Sequence, residues 1–138
     1  MFGFGNSKAP FDINDLTGGY GMSHTELIQY RISKGFKVTT PNTTVISARK
    51  KYNNIGEILI TNTFYPTRME CTIGVQYKSD CEKLIAAIEM YCTRKDYSFG
   101  SIGYYGWKLP CGDYLKGGMM GGMGYELKVY PKEQVKER

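Results

Sequence analysis

The chain has 138 residues, 41% hydrophobic and 22% charged, which suits one globular domain with its own core and excludes wholesale disorder. No run approaches the ~20 apolar residues of a membrane helix, and the opening MFGFGNSKAPFDINDLTGGYG lacks the basic start and apolar centre of a signal peptide. The net charge of +5 is concentrated within 23–52, where Arg31, Lys34, Lys37, Arg49, Lys50 and Lys51 face a single acid, Glu26, a local surplus that attracts nucleic acid or another acidic surface.

Residues 1–22 read as an extended arm, with Phe2, Phe4 and Phe11 spaced by Gly, Pro and Asn and no helical or strand period. Ser23-His24-Thr25-Glu26 then forms an S-x-x-E capping box, and Gly35 supplies a left-handed stop, so a helix is expected over 24–34. Residues 36–48 are β-rich with a turn at Thr40-Pro41-Asn42, and 55–63 read as a strand that Pro66 closes off. The clearest strand is 69–77, where Met69, Cys71, Ile73, Val75 and Tyr77 alternate with Glu70, Thr72, Gly74 and Gln76. A second S-x-x-E, Ser79 to Glu82, opens an amphipathic helix that should bury Cys81, Leu84, Ile85, Ile88, Tyr91 and Cys92, with Arg94-Lys95 closing it.

Beyond Ser98 the chain changes character, since nine of its 17 glycines fall between Gly100 and Gly124. A strand is expected near 101–109, then a long glycine loop containing KGGMMGGMG, then a last strand in which Tyr125, Leu127 and Val129 alternate with polar residues. Residues 131–138 read as a charged tail after a single domain over 23–130. The fold class that follows is α+β: an antiparallel or mixed sheet of about five to six strands with two short helices on one face, plus the arm and the loop.

Catalytic groups are scarce. His24 is the only imidazole, and there is no Cys-x-x-Cys, so neither a Ser–His pair nor a zinc site is indicated. The four cysteines read as reduced thiols, with Cys111 beside Asp113 disfavoured as a thiolate. The glycine run lacks the Lys-Ser/Thr of a phosphate loop and leads into a strand rather than a helix.

The sequence therefore reads as a non-enzymatic structural subunit without cofactors, in the manner of a virion, phage-tail or large-complex component. It would contact other copies of itself or other proteins through Phe2, Phe4, Phe11, Tyr104, Tyr105, Trp107, Met119, Met120 and Met123. The alternative is a basic RNA- or DNA-binding module using Arg31, Lys34, Lys37, Arg49, Lys50 and Lys51. Membrane insertion and signal-peptide secretion are not expected; the location is intracellular, or in a particle assembled there.

Overall fold

Alternation along the strands is the pattern that organises the chain. In the computed structural model, which describes residues 8–121 and 124–138, nine strands form one antiparallel sheet. They are β1 (Lys37–Asn42), β2 (Val45–Tyr52), β3 (Gly56–Phe64), β4 (Met69–Val75), β5 (Arg94–Phe99), β6 (Ile102–Lys108), β7 (Tyr114–Gly121), β8 (Gly124–Tyr130) and β9 (Val135–Glu137). Their order across the sheet is β1-β2-β3-β4-β8-β7-β6-β5-β9. Only two α-helices interrupt them, α1 (His24–Ser33) and α2 (Lys78–Glu89). The expected α+β domain of five to six strands with two helices on a face is thus corrected to a mostly β protein with a nine-stranded sheet.

Three segments account for the additional strands, one of them the stretch 131–138 expected as a charged tail, which carries β9 paired to β5. The stretch expected to be a long glycine loop contains β7, because glycine there answers to packing rather than to bending. A Cβ on Gly117 would run into the ring of Tyr105, and one on Gly106 into the carbonyl of Leu115. Arg94-Lys95, expected to close the second helix, instead begins β5. That helix ends at Glu89, so Tyr91 is exposed rather than part of a buried stripe.

The N-termini of the helices also differ. Ser23 accepts from the Glu26 amide at 3.1 Å and Glu26 accepts from the Ser23 amide at 2.9 Å, completing the predicted box. α2 begins earlier than its S-x-x-E predicts, with Tyr77 at the cap and no side-chain cap bond. Ser79 is therefore inside the first turn rather than at the cap position.

The element order repeats. α1 and then β1–β4 is one helix followed by a four-strand meander; α2 and then β5–β8 is another. The last strands of the two meanders, β4 and β8, pair antiparallel, so the halves are related by an approximate two-fold axis. Ile73–Leu127 is the middle of the five registered pairs between them, 54 residues apart (127 − 73). Each helix buries a pair four residues apart, Leu27 and Arg31 on α1 and Leu84 and Ile88 on α2.

Cross-strand partners share a face, and the register separates two. One carries Ala48, Ile58, Ile60, Cys71, Ile73, Leu115, Leu127 and Val129, which join Leu84 and Ile88 of α2 in the main core. The segment before α1 closes over the same side. Leu16 is fully buried, Phe11 meets Tyr52 edge-on, and the Tyr20 hydroxyl donates to the Val129 carbonyl at 2.7 Å. Beyond β8, β9 pairs with β5.

Candidate functional site

The sheet face away from that core is open over β1–β4, while on its other half Tyr97, Phe99, Tyr114 and Lys116 are buried and Lys95 and Lys128 reach solvent. Following the register across it gives one continuous line: Thr39, Ser47, Thr61, Thr72, Lys128, Lys116, Gly106 and Lys95, one residue from each of eight strands. At about 4.8 Å per strand the line is about 34 Å long. Its first four members are hydroxyls and three of its last four positions are lysines. The change of character falls between β4 and β8, at the two-fold axis.

Aromatic rings flank the lysine half. Lys116 Nζ sits 4.9 Å from the centroid of Tyr104, Lys128 Nζ 5.1 Å from Tyr130, and Lys108 Nζ 6.0 Å from Tyr114, distances at which a ring face attracts a cation. Tyr97, Phe99 and Tyr114 pack into a second, smaller cluster on this side, which Tyr130 and Val135 border. Tyr104 remains 39% exposed and is the ring most open to a ligand there. Two lysines of the line form only loose ion pairs, Lys128 with Glu70 at 3.7 Å and Lys95 with Glu137 at 3.8 Å. Exposed pairs of that kind are weak, and a phosphate can take the place of the carboxylate.

One step along the strands lies a second line, Lys37, Arg49, Leu59, Gly74 and Glu126. Here the face dips into a cleft of about 350 Å3, also lined by Glu57 of β3, by Gln76 after β4, and by Tyr77 and Asp80 at the start of α2. Gly74 makes the dip. A Cβ at Gly74 would meet only two carbonyl oxygens, each at 3.8 Å, so neither crowding nor backbone conformation demands glycine. Glycine inside a strand weakens it and often marks a close approach.

The predicted basic set divides between the faces. Arg31 is fully buried under α1, donating to the Thr17 carbonyl at 2.9 Å and to Asn62 Oδ1 at 3.0 Å, while its Nε and Nη1 have no partner among the described residues. Lys50 is on the core side too, paired with the buried Asp15 at 2.7 Å and donating to the Lys34 carbonyl. Lys37, Arg49 and Lys51 belong to the open face, and Lys34 caps α1. The face gains Lys95, Lys108, Lys116 and Lys128, which sequence separation concealed; lysine at alternate strand positions was the signal available for them.

The predicted protein contacts also separate. Trp107 is fully buried and donates from Nε1 to Glu89 at 3.0 Å. Arg94, 2.6 Å from the same carboxylate, holds the Glu89 carboxyl below its usual range. Tyr105 is wedged beside Trp107 with centroids 5.6 Å apart, leaving Tyr104 as the exposed member of that trio. Met119 and Met120 belong to β7, opposite Glu126 and Tyr125. Phe2, Phe4 and Met123 lie outside the described residues.

Thiol chemistry gains little support from the surroundings. Burial pushes the Cys111 thiol up from its ordinary pKa, and burial likewise raises Cys81 and Cys92. Among the described residues no three metal-ligating side chains converge, and no helix is long and apolar enough to cross a membrane. Compared with protein-family models, with curated proteins and with solved structures, the chain matches none.

Proposed function

We propose that the chain is a binding module for single-stranded nucleic acid, using the open sheet face. The observation that carries this reading is the line from Thr39 to Lys95, interrupted only at Gly106, with Lys95 and Lys128 its solvent-reaching lysines. Hydroxyls and ammonium groups are the donors that hold phosphate oxygens, and a regular row of them follows a backbone rather than a compact ligand. Tyr104 beside Lys116 offers a ring for stacking next to the charge, the pairing on which sequence-tolerant strand binding depends. Arg49 and Lys37 extend the positive potential on the neighbouring line, and Lys51 lies one step further along β2.

The test is a salt titration with short labelled oligonucleotides, about a dozen nucleotides long, single-stranded and duplex. Single strands should bind at low ionic strength with log Kd rising linearly in log salt. Replacing both exposed lysines, Lys95→Ala with Lys128→Ala, should reduce the slope by about 1.4, or about 0.7 per lost phosphate contact. Absence of salt-dependent binding, or a slope untouched by both substitutions, rejects the reading.

A second reading, a subunit of a larger protein assembly, draws on Met90 and Tyr91. These neighbours beyond α2 are 80% and 60% exposed. Adjacent exposed apolar side chains mark contact surfaces. Light scattering of the purified chain addresses its simplest form, self-association.

A further inference from the structure

The cleft at Gly74 adjoins the phosphate line and is unlike it. From Thr72 and Lys128 on the line to Gly74 and Glu126 in the cleft is two residues along the strands, about 7 Å. That is comparable to the reach from a backbone phosphate to its own base. A strand laid on the line therefore has a cavity within reach of one of its bases.

We infer that this cleft takes one unstacked guanine from the bound strand, an inference that rests on the nucleic-acid reading above. At about 350 Å3 the cleft has room for one base with part of its sugar. Leu59 and the bare backbone of Gly74 give a flat apolar floor, and Tyr77, 59% exposed, stands at the rim as a stacking partner. The polar lining then selects among bases. Glu126 and Asp80 make no hydrogen bond or ion pair with any described residue, so each carboxylate is available as an acceptor. Guanine is the base that presents two adjacent donors, N1–H and the N2 amino group, to one carboxylate. It also presents O6 and N7 as paired acceptors, which an arginine reads. Arg49 spends one nitrogen on Glu57 at 3.4 Å and keeps further donors on its planar fork. Adenine sets an acceptor, N1, beside its amino group, while uracil and thymine offer one N–H between two carbonyls. Cytosine offers its amino group next to an acceptor. None of them satisfies a carboxylate in bidentate fashion.

Gly74→Val is the probe, because the substitution fills the cleft from its floor at a position where a Cβ meets no close neighbour. Anisotropy titrations would use uridine and thymidine homo-oligomers with a single central guanine, adenine or cytosine, against the full-length chain. The guanine oligomer should bind about tenfold tighter than the others. Gly74→Val should erase that difference while leaving the homo-oligomer Kd and its salt slope unchanged. Equal binding of all oligomers by the wild-type chain overturns the inference but leaves the strand-binding reading standing. A guanine preference that survives Gly74→Val also overturns it, placing the selection elsewhere. Binding of no oligomer defeats both. Guanosine monophosphate serves as a competitor: if it removes the preference at concentrations equal to the oligomer, the cleft serves a free nucleotide rather than a strand.

Discussion

Arg31 and Cys71 meet at the buried corner between α1 and the sheet, with Arg31 Nη2 4.0 Å from the sulfur. Burial raises the Cys71 thiol from its ordinary 9.0 to about 11, and the nearby guanidinium acts in the opposite direction without cancelling it. A group whose folded pKa is raised gives stability that is complete below its unfolded value and disappears as pH climbs through the folded one. Cys71 should therefore favour the fold up to about pH 9 and withdraw about 2–3 kcal/mol by pH 11, at 1.36 kcal/mol per unit. Urea midpoints measured across that window should fall for the wild-type chain and fall less steeply for Cys71→Ala, whatever the variant's starting stability. Parallel curves would show that the thiol does not titrate in this way. Burial raises Tyr20 and Tyr52 as well, so part of the alkaline loss should persist in the variant.

The two S-x-x-E motifs show why identical local sequence leads to different elements. Ser23 and Glu26 cap α1 reciprocally, so Ser23→Ala should cost about 1 kcal/mol. Ser79→Ala should stay within about 0.5 kcal/mol, because the α2 cap is Tyr77 and Ser79 holds no cap bond. Chemical denaturation of both variants checks the contrast, and equal losses would place the start of α2 at Ser79 after all. The same comparison marks how far the elements were legible. Strand β4 and the start of α1 were, because alternation and capping are signals of adjacent residues. β7 was not, since Gly117 is required by the ring of Tyr105 on a neighbouring strand. The site was less legible still. Arg31 and Lys50 resemble their basic neighbours in sequence, and only the packing of α1 and the register of β2 reveal that they turn to the core while Arg49 and Lys51 turn away. Lysines from β5, β7 and β8 join the face through pairings the chain order does not disclose.

At the scale of the molecule, the approximate two-fold puts β4 and β8 in the middle and leaves β1 and β9 at the edges. Amides of β4 and β8 are paired on both sides and sit over the shared core, so they should open only with the whole molecule. Native-state hydrogen exchange should give Ile73 and Leu127 the highest protection and β1 and β9 the lowest. Comparable protection at the edges would mean that they are covered in solution. The two halves have similar architecture and different surfaces, hydroxyl-bearing on one side of the axis and lysine-bearing on the other, with the Gly74 cleft beside the β4–β8 junction.

The β4–β8 pairing also sets a timetable. During synthesis β1 to β4 are complete well before residue 124, the start of β8, has been added. Until then β4 carries Cys71, Ile73 and Val75 along an edge with one side of its backbone unpaired. An open apolar edge is a template for the wrong neighbour, and long-range pairings close slowly. The nascent chain is thus most exposed to misassembly between the completion of β4 and the addition of β8, and α2 and β5 to β7 are made while that edge stands open.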